Sequence, residues 1–146
     1  MKTMLAALTT STLLAVVPAM AADETPPFEK GPVWDFTHIK TTDGHFDDYM
    51  KFVTTDWKAQ EEALKKAGRI LDYKVFLVAD ARQGEPDIVL AQEYKNMAEF
   101  DRPVADEYAM QAKISGSISK ANQDQAARAS IRTIQGDMVM REITLK

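Results

Sequence analysis

Cysteine is absent and histidine nearly so: the 146 residues include no Cys and two His, His38 and His45. Without a thiol there is no disulfide framework, no cysteine nucleophile and no zinc–cysteine centre. The two His, even with Asp43 beside them, lack the short fixed spacing of a metal site, so no metal and no cofactor is expected. Excess positive charge is missing too. Against 22 Asp+Glu stand 18 Lys+Arg, a net charge of −4, which gives no electrostatic basis for binding nucleic acid or anionic lipid. No GxGxxG, Walker, HExxH or GxSxG pattern occurs, so nucleotide-binding, zinc-protease and hydrolase readings have no motif behind them. The one long uncharged stretch, 4–17 (MLAALTTSTLLAVV), is shorter than the roughly 20 residues that span a bilayer.

That stretch reads as a leader. Lys2 precedes it, Pro18 ends it, and Ala19-Met20-Ala21 places small residues where a signal peptidase reads. Cleavage after Ala21 is expected, giving a periplasmic or secreted protein with no membrane segment. Loss of Lys2 leaves 17 basic against 22 acidic residues and a net charge of −5. Residues 22–32, with three Pro and one Gly, read as an extended N-terminal arm. Residues 33–146 read as one domain, and the whole chain, 45% hydrophobic and 27% charged, has the composition of a globular protein.

Within the domain, Val33 to Lys40 (VWDFTHIK) has the β-branched and aromatic content of a strand. After the Thr41–Gly44 turn, Phe46, Tyr49, Met50, Val53, Trp57 and Leu64 recur at helical spacing through His45–Ala67, and Gly68 ends the helix. Arg69–Asp80 and Asp87–Lys95 read as an antiparallel hairpin. Asn96 caps a short turn, and Val104 to about Thr133 is helix-compatible, with a weak point at Ser115-Gly116-Ser117. Gly136-Asp137 turns the chain into a last strand, Met138–Leu145. The order β-α-β-β-α-β predicts an α+β, ferredoxin-like fold: a four-stranded antiparallel sheet with both helices on one face. The strands are apolar on both parities, since Leu71, Tyr73, Val75 and Leu77 oppose Ile70, Phe76 and Val78. A sheet with one wet face alternates cleanly, so a second copy is expected to cover the other face as a homodimer.

The stretches VWDFTHIKTTDGHFDDYM, KKAG, LDYKVFLV…DIVLAQEYKNMAEFD and GDMVMREITL resemble the dimeric α/β-barrel superfamily over roughly residues 33–146. The likeness is to small exported members related in fold to antibiotic-biosynthesis-monooxygenase-like and NIPSNAP-like proteins. It implies two ferredoxin-like subunits joining their sheets into a barrel with helices outside. Fold of this kind does not choose a function. Trp57 stands on the helix where haem-degrading members carry a Trp, but the Asn and His that accompany it there are not placed around it here. No His follows His45, where cyclase-like members carry a late one.

The candidate site is built on His38. Strand parity puts it on one face with Trp34 and Phe36, at the end of an aromatic row. It is expected to act as a general base or polar anchor, with Tyr49 or Tyr94 as hydrogen-bond partner. A satisfied core His is the alternative. Tyr49 completes the tentative catalytic pair, while Trp34, Phe36, Trp57 and Tyr94 are the candidate ligand-binding residues. Asp35, of opposite parity, is expected to meet an ion-pair partner such as Arg141. Three functions follow: a dimeric binder of a small apolar or aromatic molecule in a sheet–helix pocket; a cofactor-independent monooxygenase or cyclase on an aromatic or polyketide-like substrate; and a structural or partner-binding module.

Overall fold

The computed structural model describes residues 25–146; the expected leader, residues 1–21, lies outside the described residues. Four strands form one antiparallel sheet: β1 (Phe28–Thr41), β2 (Asp72–Leu77), β3 (Ile88–Tyr94) and β4 (Arg132–Leu145), in the order β2-β3-β1-β4. The helical elements are α1 (Phe46–Phe52), a π turn (Val53–Trp57), α2 (Lys58–Lys66), α3 (Val104–Ser115) and α4 (Ile118–Ala127), with short 3-10 turns at Met97–Asp101 and Arg128–Ser130. The expected β-α-β-β-α-β order holds.

The two outer strands of the sequence are longer than their patterns suggest. β1 starts at Phe28, inside the stretch read as an arm, and pairs with β4 from Phe28↔Leu145 to Thr41↔Arg132. A register shift between Lys30 and Val33 absorbs Gly31-Pro32, because proline has no N–H to give the ladder. A Cβ on Gly31 would stand 3.2 Å from the Glu142 carbonyl oxygen, so the close strand approach depends on glycine. β4 starts at Arg132, six residues before the expected Met138. Gly136 is therefore not a turn. It sits inside the strand at a second register shift with φ +139°, a conformation open to glycine. The long second helical stretch does break at the expected weak point: Gly116 takes φ +85° and the Ser117 side chain caps α4 by accepting from the Lys120 N–H at 3.0 Å.

Register settles which residues share a face, since directly opposed residues of an antiparallel pair point the same way. Val33, Asp35, Thr37 and Ile39 of β1 oppose Tyr94, Gln92, Leu90 and Ile88 of β3. Ile39, Ile88 and Leu90 pack with Tyr49, Val53 and Trp57 in the buried core, so this is the helix-covered face. Trp34, Phe36 and His38 point the other way, with Val89, Ala91, Met138 and Met140. From β2, Tyr73, Val75 and Leu77 belong to the covered side, and Lys74 and Phe76 to the open one.

The first helical stretch contains a device its sequence does not announce. Tyr49, Val53, Trp57 and Glu61 are all buried at constant four-residue spacing. In a regular α-helix each four-residue step drifts about 40° around the axis, some 120° over three steps. The π turn at Val53–Trp57 takes up that excess and keeps the four side chains aligned on the sheet. Phe46, read as the first residue of the stripe, is instead exposed.

Candidate functional site

The buried stripe ends on an acid. Glu61 is 2% exposed, and its Oε2 accepts from the Gln92 amide Nε2 at 2.7 Å. The Gln92 Oε1 in turn accepts from the Tyr94 hydroxyl at 2.8 Å. Asp35, opposite Gln92 on the same face, has a buried Oδ1 with no hydrogen-bond partner among the described residues. Burial pushes Glu61 up to about 7. Burial, then the charge of Asp137, also raises Asp35. Tyr94 is raised beyond the ordinary phenol range by burial first and by Asp35, Glu61 and Glu107 after it. This phenol stays protonated at every physiological pH.

Tyr94 is also where the network meets open space. A cavity of about 360 Å³ lies between α2, the end of β3 and the α3–α4 pair, bordered by Leu64, Ile70, Tyr94, Phe100, Met110 and Ile114. The Phe100 ring centroid is 4.8 Å from that of Tyr94, making one aromatic wall. Charged groups line the cavity too: Arg102 pairs with Glu99 three residues away, Arg69 reaches the Asp106 carbonyl, and Glu107, Asp124 and Arg128 stand among the others. The lining mixes these apolar walls with polar and charged side chains in a concave surface of a size small molecules occupy.

The six candidate residues divide between the two sheet faces. Trp34, Phe36 and His38 lie together on the open face: the Trp34 and Phe36 rings are 6.1 Å apart and Phe76 continues the row at 6.4 Å. Tyr49, Trp57 and Tyr94 lie on the covered face. Tyr49 and Tyr94 therefore cannot partner His38, because strand alternation puts the sheet between them. Tyr49 and Trp57 are core: Tyr49 is 1% exposed and packs on Phe52 at 5.6 Å, and Trp57 meets Tyr73 edge-on at 5.5 Å. Of the six, Tyr94 borders the cavity.

Asp35 does not find the expected Arg141. Arg141 stands opposite Val33, two residues away in register, and the charge felt at Asp35 is the like charge of Asp137, opposite Thr37. Arg128 and Arg132 are packed on rings of the first helical stretch: Arg128 lies 4.0 Å from the Phe52 centroid and Arg132 5.8 Å from that of Tyr49. His45 pairs with Asp48 at 3.1 Å at the start of α1, away from His38. Glu61 and Gln92 were invisible to sequence reading. A charged residue on a helix is ordinarily solvated, and only the π turn brings this one inward.

No protein-family model matches the chain, and no curated protein matches it by sequence. Solved structures do resemble it. HapK from Hahella chejuensis aligns over 75% of this chain and 91% of its own, with a TM-score of 0.51 and 13% identity. A dimeric ferredoxin-like protein from an uncultured marine organism aligns over 81% of this chain and 90% of its own (TM-score 0.48, 11% identity). A NIPSNAP family protein from Agrobacterium tumefaciens aligns over 80% and 90% (TM-score 0.45, 12% identity). The likeness to HapK shows a shared fold, which is the ferredoxin-like arrangement read from the element order.

Proposed function

We propose that this chain is an exported, homodimeric protein that binds a small, largely apolar or aromatic molecule in the cavity beside Tyr94. The supporting observation is the cavity itself: about 360 Å³ of space, walled on one side by Leu64, Ile70, Phe100, Met110 and Ile114 beside Tyr94, with polar and charged side chains such as Arg69, Gln111 and Arg128 completing the lining. It replaces the pocket expected between the sheet and the first helix, where Tyr49 and Trp57 fill the space. A panel of small aromatics should raise the melting temperature of the wild type, and Met110→Trp, which fills the cavity, should remove the response while leaving the fold intact. A wild type that responds to no member of the panel at millimolar concentration would refute the reading.

The dimer rests on the open sheet face. Phe76, Met138 and Met140 are 46%, 50% and 46% exposed and, with Trp34 and Phe36, form one apolar surface across β2, β1 and β4. So large a patch marks an interaction site. Lys74, 4.7 Å from the Trp34 ring centroid, shares this face with Glu93 and Glu142, so a two-fold related copy offers opposite charge as well as apolar surface. Export rests on the leader pattern at 1–21. Mature protein from an exported fraction should begin at Ala22, and soluble protein retaining Met1 would argue against it.

A further inference from the structure

We propose that the cleft between α2 and the α3–α4 pair takes an amphipathic acid, an apolar or aromatic body with one carboxylate, and that Arg128 receives the carboxylate. The inference rests on the cavity beside Tyr94 being a binding site and names the class of ligand it selects.

The balance of charge carries it first. The cavity beside Tyr94 is one part of a longer cleft. A second space of about 680 Å³ adjoins it, and Gln60, Met110, Ile114 and Arg128 border both. Around the two spaces, Arg102 is paired with Glu99 and Lys120 with Asp124. The lining charges left without a salt-bridge partner among the described residues are Lys66, Arg69, Lys113 and Arg128 against Asp56 and Glu107. The chain as a whole is acidic, at −4, yet its cleft holds cations in excess. A concave surface of one sign concentrates ligands of the other.

Arg128 is where that excess is least satisfied. Asp124 stands four residues from both Lys120 and Arg128, within reach of either along the helix. It pairs with Lys120. Arg128, at the C-terminal end of α4, lays its guanidinium 4.0 Å from the Phe52 ring centroid instead. Its Nε is buried and has no hydrogen-bond partner among the described residues. Burial holds the group below its ordinary range. The like charge of Arg132 adds to this, and together they outweigh the opposing influence of Tyr49, Asp124 and Asp56. A partly desolvated guanidinium short of acceptors gains most from a carboxylate, whose two oxygens match its fork of N–H groups. The apolar body has its place in the same space, because Leu64, Ile70, Phe100, Met110 and Ile114 wall the cavity that Arg128 borders.

The test compares 2-naphthoate with 2-naphthamide, of the same shape but uncharged, and with 2-naphthylmethylamine, a cation, by calorimetry at pH 7. The wild type should bind the acid about tenfold tighter than the amide, the worth of a hydrogen bond to a charged group, and the amine more weakly than the amide. Arg128→Met keeps an unbranched stem over Phe52 and removes the donors, so it should weaken the acid to the level of the amide and leave the amide unchanged. Met110→Trp should abolish binding of both. The wild-type comparison stands even where a variant fails to fold: equal affinities for acid and amide, or tighter binding of the amine, would overturn the inference while leaving the cavity a binding site. A preference for the acid that survives Arg128→Met would overturn it as well. Binding of none of the three compounds would defeat the cavity reading and this inference with it.

Discussion

The two faces of the sheet are built from similar residue types and come to opposite ends. Beneath the helices, Val33, Ile39, Ile88 and Leu90 are buried with Tyr49 and Trp57, and among them lie two acids, Asp35 and Glu61, with raised protonation ranges. Across the sheet, Trp34, Phe36, Phe76, Met138 and Met140 form a row half open to solvent, bordered by Lys74, Glu93 and Glu142. Hydrophobicity alone does not distinguish them. The covered face carries polar groups sealed from water and tied to a cavity; the open face carries apolar groups in water with charges around them. The first arrangement suits selective binding of a small molecule, the second association with a like surface.

The largest effect that separates the faces should come from the core. Trp57→Ala removes an indole that is 8% exposed and packed edge-on to Tyr73, and should cost about 3–5 kcal/mol. Urea denaturation checks this. Phe36→Ala on the open face, measured on monomer, should cost clearly less. Comparable losses would mean that the open face is packed within one chain.

Next in size is the cost of charging Glu61. Its carboxyl is raised from 4.5 to about 7, so between those values the folded chain holds a proton that the unfolded chain has lost. Stability therefore falls as pH rises through this window. The penalty is absent below about 4.5 and complete above about 7, at about 3 kcal/mol. Relative to wild type, Glu61→Gln should be progressively more stable from pH 5 to pH 8. Asp35 acts in the same direction, so the difference between the two proteins isolates Glu61. A difference that does not change with pH would place Glu61 in water.

Both of these effects depend on what could and could not be read from residues alone. Strand parity was readable: Trp34, Phe36 and His38 do share a face, and the element order does give the sheet. Which parity meets the helices was not, because Val75 and Phe76 are equally apolar and only β-pairing assigns Val75 to the covered side and Phe76 to the open one. Glu61 was hidden for a different reason. Its inward aim comes from one π turn, a backbone event with no residue signature in VTTDW. Strand ends at Phe28 and Arg132 were hidden because Gly31, Pro32 and Gly136, ordinarily turn residues, serve here as bulges.

The open face gives the third effect. Phe76→Glu puts a charge among Phe36 and its neighbours at a position already 46% exposed. The chain should still fold, with sedimentation changing from dimer to monomer at micromolar concentration. Val75→Glu, on the covered side of the same edge strand, should leave the mass of the folded protein unchanged. If both substitutions dissociate the protein equally, the second copy does not sit on the open face.

The smallest effect belongs to His38, and it bears most directly on the division between faces. Its imidazole lies half-buried at the end of the Trp34–Phe36 row, opposite Val89 and Gly136, with the sheet between it and the Tyr94 cavity. Removing a side chain from such a surface position should change monomer stability by about 0.5 kcal/mol or less. His38→Ala should therefore leave the melting shift produced by aromatic ligands intact, while Met110→Trp removes it. The dimer provides the control, because any weakening caused by His38→Ala should appear in the dissociation constant alone. A loss of ligand response in His38→Ala with the dimer still formed would move the binding site to the open face, inside the space two joined sheets enclose. Tyr94, Gln92 and Glu61 would then be a buried polar network without a ligand.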